Sequence, residues 1–358
     1  MDLVAEMLAR QLRANHSDQF DVTTLRPPFH RRFSRLPIAG TKNSVQMLDR
    51  ALNRMRDYPK WLAERAGEFD LFHVADHSYS QLVHLLPPNR TGVFCHDLDT
   101  FRSLIEPGVE PRPKWFKAMA RKILRGMQRA RIVFHTTQTV RGEILKHGLI
   151  DPARLVQAPY GIAPEFTTTR GDVQLPKESA GAIASGFLLH VGSCIPRKRI
   201  DVLLDVFAEV ARRDTQIHLL QVGGEWTDAQ RDQIRRHNIA DRVTQLGRQE
   251  RSVIAELYRR CRMVLMPSES EGFGLPVAEA LACGATVMAS DIPVLREVGG
   301  DAAIYCPLAD VSGWAGTLDR LLSGVEAAPS LEKRLARAGQ YTWAEHARII
   351  AETYLHFD

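Results

Sequence analysis

Two glutamates, Glu271 and Glu279, stand in the stretch of the chain where residue types and spacing speak most directly of chemistry. The segment PSESEGFGLPVAEALACGATVMAS, 267–290, leaves an apolar run at Met263–Met266, passes through a glycine-rich loop and enters a second apolar run at Ala285–Ala289. It reads as loop, helix, strand. Pro276 suits the first helical position, Gly284 the C-terminal cap, and Val277, Ala280 and Leu281 form an apolar face between them. Glu271 is then offered from the loop and Glu279 from the first turns of the helix. The unpaired N–H groups at such a helix start attract phosphate, and a carboxylate accepts both hydroxyls of a ribose in dinucleotide sites. The plainer alternative makes Glu271 a helix cap and Glu279 a solvated charge.

A second segment, FLLHVGSCIPRKRIDVLLDVFAEV, 187–210, runs from a strand through a turn containing Gly192 into a basic cluster and a helix. Ile200, Leu203, Leu204, Phe207 and Ala211 recur at helical spacing and give that helix a buried face. Arg197 and Lys198 are left at its start. Cations beside a helix N-terminus are unfavourable unless an anion joins them, and a diphosphate is a natural one; a solvated basic loop is the alternative. In the first half, His96 and Asp97 follow the apolar run Val93–Cys95, while Asp76, His77 and Ser78 follow Leu71–Val74. Ligands bind outside the carboxyl ends of parallel strands, so Asp76, His77 and Ser78 are candidates for acceptor binding or for loop capping, Asp97 for lining the same cleft, and His96 for a functional role or a structural one.

Strands alternating with helical patterns must position these groups, which is the signature of parallel βαβ units. The first half offers runs at Phe20–Leu25, Leu71–Val74, Val93–Cys95, Ile132–His135 and Leu155–Ala158. The second offers Phe187–Val191, His218–Val222, Val243–Leu246, Met263–Met266, Ala285–Ala289 and Ala303–Cys306. Each half reads as a doubly wound, Rossmann-like sheet: an N-terminal domain over 1–165, a Thr-, Gly-, Ser- and Pro-rich linker over 163–186 with a cleft beside it, and a C-terminal domain over 187–335. Trp343, Ala347, Ile350 and Tyr354 predict a last helix within 340–358 that packs back on the first domain. The opening MDLVAEMLARQL has the helical spacing of Leu3, Val4, Met7, Leu8 and Leu12, where a strand and a glycine turn would be expected. The reading is that this first strand and its loop are missing, and that the chain is poorly stable or weakly active without them.

EGFGLPVAEALACG after a buried strand, VG-x-x-x-PRK before a helix, HDL after a strand, and later QAPYGI, QVGG and YTWAEHA resemble, in this order, the retaining glycosyltransferases of family 4 with their Glu-x7-Glu donor motif. The resemblance spans nearly the whole chain and implies a GT-B architecture, with the acceptor on the N-terminal domain and the nucleotide sugar on the C-terminal one. It implies that Glu271 and His96 serve catalysis near the transferred sugar and that Glu279 holds the ribose. Gly272, Phe273, Gly274 and Leu275 would lie along the sugar and phosphates, while Gly192, Arg197 and Lys198 would receive the diphosphate. Ser193 departs from the arginine that many members carry after the glycine. The implied reaction retains anomeric configuration and needs neither cofactor nor metal, the donor being a nucleotide sugar such as GDP-mannose or a UDP-sugar. The acceptor would be a glycan, a lipid-linked sugar or a small molecule, as in polysaccharide biosynthesis. Epimerases and phosphorylases on the same scaffold, or a non-catalytic binding homologue, are the rival readings.

With 358 residues, 44% hydrophobic and 25% charged, the chain has the composition of an ordinary globular protein large enough for two cores. A net charge of +5 favours phosphate-bearing partners or anionic lipid, and no nucleic-acid-binding module or zinc spacing is present. Cys95, Cys194, Cys261, Cys283 and Cys306 lie in or beside apolar runs without a CxxC pair and read as reduced, buried thiols. The N-terminus lacks a signal-peptide pattern, so the expected location is cytoplasmic. The basic amphipathic stretch Pro113–Ala130 reads either as a core-packed helix with a solvated face or as a peripheral contact with the inner face of an anionic membrane.

Overall fold

The computed structural model describes residues 2–33 and 42–357. The chain forms two compact units, one from Met1–Pro159 with Trp343–Asp358, the other from Tyr160–Thr342.

The first unit is built on four parallel strands in chain order: β1 (Phe72–Val74), β2 (Thr91–Cys95), β3 (Ile132–His135) and β4 (Leu155–Gln157). Val93, Cys95 and Val133 pack with Ile123 and Met127 of the helix Lys114–Arg129. That helix lies close against the turn His77–His84: a Cβ at Gly126 would fall 1.9 Å from the Ser80 carbonyl oxygen. The helix Trp343–Leu355 places Tyr354 beside His73, Phe94's neighbour Phe134 and the backbone of Gly92, where a Cβ would meet the Tyr354 hydroxyl at 2.3 Å. The same hydroxyl lies 2.8 Å from His73 Nδ1 and donates to the Phe72 carbonyl. The opening helix, Asp2–Asn15, buries Val4, Met7, Leu8 and Ala9 and packs on Trp343–Leu355.

Phe20–Leu25, expected as a strand, joins no sheet. Phe20, Val22 and Leu25 are only half-buried and Asp21, Thr23 and Thr24 are exposed, and the Arg13 guanidinium holds the segment by donating to the Val22 carbonyl at 2.8 Å.

The second unit carries six parallel strands: β5 (Phe187–Gly192), β6 (His218–Gly223), β7 (Val243–Leu246), β8 (Met263–Met266), β9 (Val287–Ser290) and β10 (Ile304–Cys306), in the order β10-β9-β8-β5-β6-β7. Chain order reverses between β5 and β8. In such a sheet the crevice beyond the carboxyl ends of those two strands is the natural ligand site. Leu203 and Phe207 of the helix Ile200–Ala211, with Trp314 and Leu318 of the helix Val311–Leu322, belong to the core of this unit. The stretch expected as a linker, 163–186, holds a turn at Lys177–Ser179 and a short helix, Ala180–Ser185, anchored by buried Ala182. It closes on Gly186 at φ 86°, a left-handed conformation that favours glycine.

Candidate functional site

β5 ends in Gly192 and β8 in Met266, so the loops that leave the strand-order reversal are the two that the sequence marked for chemistry. They are tied together at the backbone, where the Glu269 N–H donates to the Arg197 carbonyl at 2.9 Å. Across this link Lys198 Nζ meets Glu271 Oε1 at 2.5 Å, and Arg197 Nη1 lies 3.2 Å from Glu271 Oε2 while also donating to the Ser270 carbonyl at 2.9 Å. The Glu271 and Lys198 side chains are 6% and 10% exposed, so the pair is a desolvated one. Burial alone would push the Glu271 carboxyl up, but Lys198 and Arg197 outweigh it and hold the group below the usual carboxylate range. Arg199, at φ 47°, turns outward to Asp201 and Glu269.

The turn after β5 is braced from beneath. The Gly224 N–H donates to the Gly192 carbonyl at 3.1 Å, and the Gln221 side-chain amide donates to the same oxygen at 2.8 Å. A Cβ at Gly223, whose φ is 126°, would stand 2.5 Å from that oxygen. His190, fully buried on β5, places Nδ1 2.9 Å from the Leu265 carbonyl, and burial pushes its pKa down to about 4. It donates from Nδ1 and stays neutral.

The helix after Glu271 runs Leu275–Ala282, so Leu275 takes the first helical position and Pro276 the second, one place later than the sequence suggested. Gly274 enters it at φ 89°, and a Cβ there would press on Leu295 Cδ2 at 2.7 Å. The amides of Gly274 and Leu275 stand at the start of this helix, where an N–H has no carbonyl of the preceding turn to bond. Half-buried Gly272 precedes Phe273, whose ring turns inward between Tyr160 and Tyr341, at 5.1 and 5.3 Å between centroids; from Phe273 only the backbone remains to meet a ligand.

Glu279 shares none of the partners of Glu271. Burial pushes its carboxyl up to about 7, with Arg251 pulling it down and Glu165 pushing it further up; Tyr258 is also near. Arg251 Nη1 lies 3.7 Å from Glu165 Oε1, while Glu165 Oε2 is buried without a hydrogen-bond partner among the described residues.

In the first unit, His77 is buried and its Nδ1 accepts the His96 N–H at 3.3 Å, which leaves the proton on Nε2, 3.8 Å from Asp97 Oδ1. His96 is itself buried, with Nε2 2.8 Å from the Ala75 carbonyl, and burial pushes its pKa down to about 3. Asp76 accepts the Ser78 N–H at 2.8 Å and so caps the turn His77–His84, and the Ser78 hydroxyl faces Arg54 at 3.4 Å.

The structure therefore gathers Gly192, Arg197, Lys198 and Glu271 in one place, and His77, His96, Asp76 and Asp97 in another. Sequence reasoning passed over His190, Glu165, Arg251 and Tyr258. His190 had a visible signal, a polar residue inside the otherwise apolar run FLLHVG; the other three converge on Glu279 from remote positions and had none.

Residues 179–340 match the family model described as glycosyl transferases group 1. The chain is 30% identical over 335 residues to a D-inositol 3-phosphate glycosyltransferase of Frankia alni, covering 84% of this chain and 80% of that protein. It is 27% identical over 231 residues to an N-acetyl-alpha-D-glucosaminyl L-malate synthase of Bacillus anthracis, covering 63% and 59%. Among solved structures, Anabaena HepE in complex with UDP and glucose superposes with a TM-score of 0.69 at 18% identity, covering 90% of this chain and 84% of that one, so the two-unit fold is that of the GT-B glycosyltransferases. The paired cations at the strand-order reversal thus sit in a chain that belongs to the group 1 glycosyltransferases.

Proposed function

We propose that the chain transfers a hexosyl group from a nucleoside diphosphate sugar to a hydroxyl acceptor with retention at the anomeric carbon and without a metal. The observation that carries this reading is the convergence of Lys198 and Arg197 on Glu271 beyond the ends of β5 and β8. Arg197 and Lys198, with the amides of Gly274 and Leu275, supply fixed positive charge for a departing diphosphate, the work a divalent metal does elsewhere. Gly192 lets the backbone approach the phosphates, Gly272 and Phe273 line the sugar through their main chain, and Glu271 accepts from sugar hydroxyls once the cations turn to phosphate. Glu279 accepts from the ribose. In the reaction the bond from the anomeric carbon to the diphosphate oxygen breaks, the bond to the acceptor oxygen forms on the same face, and the acceptor proton passes to the leaving phosphate.

The acceptor belongs to the first unit, where Asp76, His77, Ser78, Asp97 and His96 gather. The relatives named above act, by their names, on D-inositol 3-phosphate and on L-malate, which favours a small polyhydroxylated or anionic acceptor. The test is a panel of UDP- and GDP-sugars with such acceptors, run with and without EDTA, the anomeric configuration of the product being read by NMR. Inversion, or activity that EDTA abolishes, overturns the corresponding part of the proposal.

Work at the cytoplasmic membrane surface fits the helix Lys114–Arg129. Trp115 is 61% exposed, and Arg121, Lys122 and Arg125 line a groove of about 430 Å³ with His84 and Ala118. No helix among the described residues is long and apolar enough to cross a membrane. Co-sedimentation with phosphatidylglycerol vesicles at low salt, lost at high salt and weakened severalfold by Trp115→Ala, is the expected result; no binding at low salt overturns it.

A further inference from the structure

His190 is a buried polar residue that the donor chemistry described above leaves unused. Its ring is fully buried on β5, and its Nδ1–H is spent on the Leu265 carbonyl of β8 at 2.9 Å, across the strand-order reversal itself. That bond fixes the neutral tautomer and leaves the lone pair on Nε2. Nε2 is buried and has no hydrogen-bond partner among the described residues. An orphaned acceptor inside an apolar strand is costly, and leucine or phenylalanine would avoid the cost.

What lies around Nε2 gives it a use. Alternate residues of a strand share a face, so His190 and Gly192 are on the same side, directly below the turn that leads to Lys198. The point where a Cβ of Gly192 would stand is 3.0 Å from His190 Nε2 and 3.8 Å from Lys198 Cε. The imidazole, the glycine and the last methylene of the lysine thus enclose one small volume, with the ammonium just beyond it on Glu271 at 2.5 Å. An ammonium carries three donors in a flexible stem. When it turns from Glu271 to an arriving diphosphate, it loses the group that now fixes its direction.

We propose that His190 is a positioning residue for Lys198, its Nε2 accepting one N–H of the ammonium while the others point at the diphosphate of the donor. The inference rests on the donor-site reading given above. It also accounts for Gly192 on this face, since any side chain there would fill the space between the imidazole and the lysine.

The test compares His190→Leu, which keeps volume without an acceptor, with His190→Gln, which restores a polar acceptor near the place of Nε2. Calorimetry with UDP and uridine, or GDP and guanosine if guanine is preferred, separates phosphate recognition from recognition of the nucleoside. We expect His190→Leu to weaken the diphosphate about 10-fold, leave the nucleoside unchanged, and leave the melting temperature unchanged or raised, with His190→Gln regaining most of the loss. In a Lys198→Met background His190→Leu should have no further effect. Equal weakening of nucleoside and diphosphate, or an undiminished effect in the Lys198→Met background, overturns the proposal. If Lys198→Met itself leaves diphosphate affinity intact, the donor-site reading falls, and the role of His190 with it. Should His190→Leu fail to fold, His190→Asn, whose shorter amide keeps a donor toward Leu265 but does not reach the place of Nε2, carries the same comparison.

Discussion

Glu271 and Glu279 leave the same loop and helix, yet their surroundings drive them in opposite directions. Glu271 is ion-paired to Lys198 and Arg197 and is held as a carboxylate despite burial. Glu279 is desolvated on its helix, and the pull of Arg251 together with the opposing push of the Glu165 carboxyl does not offset that, so its pKa is raised to about 7. The residue type is identical, and the difference lies wholly in what the fold brings alongside. One site is prepared for a charge that must exchange partners, the other for a hydrogen-bonding group that titrates in the physiological range.

The largest expected effect comes from Glu271→Gln, which should lower the turnover number about 100-fold while changing nucleoside diphosphate affinity only slightly. Comparable losses in both would erase the contrast between the two glutamates. Next, Lys198→Met should weaken the nucleoside diphosphate by about 2 kcal/mol and spare the nucleoside, because the lost bond is to phosphate; calorimetry on both ligands decides it. The third test uses pH. In the proposed role Glu279 accepts from both ribose hydroxyls, which the ionised carboxylate does best, so diphosphate binding should weaken as pH falls through about 7. The groups facing it are Glu165, Arg251 and Tyr258, and Glu279→Gln should flatten the profile. In the ligand-free protein the sign is reversed: a carboxyl with a raised folded-state pKa stabilises below its unfolded value and loses that contribution as pH rises toward 7, so the melting temperature should drift down over that window in the wild type and less in Glu279→Gln. The smallest effect belongs to Arg251→Met, which removes the cation that lowers Glu279 and should move the midpoint of the binding profile upward by a fraction of a unit. A downward move would show that Arg251 does not act on Glu279.

The second unit was the more legible in sequence, and the reason is burial. Its central strands are covered on both faces, so they read as short apolar runs, and the run expected at Met263–Met266 matches β8 residue for residue, as the run at Val243–Leu246 matches the half-buried edge strand β7. Phe20–Leu25 failed because its β-branched and aromatic content speaks only to fitness for a pleated surface, and among the described residues the fold brings no strand alongside it to pair with. At the site, Lys198 and Glu271 were legible because each stands at the end of a readable strand. The environment that sets Glu279 apart was hidden. Glu165 comes from the stretch expected to be a linker and Arg251 from the first position of the helix Arg251–Arg260, and nothing in either local pattern points to the helix that bears Glu279.

The backbone seam between the turns after β5 and β6 bears on how such a site can vary. Gly224 donates to the Gly192 carbonyl, and a Cβ at Gly223 or Gly224 would fall 2.5 Å from that oxygen or 2.4 Å from the Cys194 nitrogen. The two turns meet main chain to main chain, with the Gln221 amide as an added brace, so inserting or deleting a residue in either would break the match even if every side chain were kept. Exposed Ser193 and Ile195 lie on the outer side of that seam and are free to differ in chemistry. Variation at this end of the proposed donor site is therefore a matter of exchanging side chains on a turn of fixed length, while loop length can drift only where no glycine seam holds the chain.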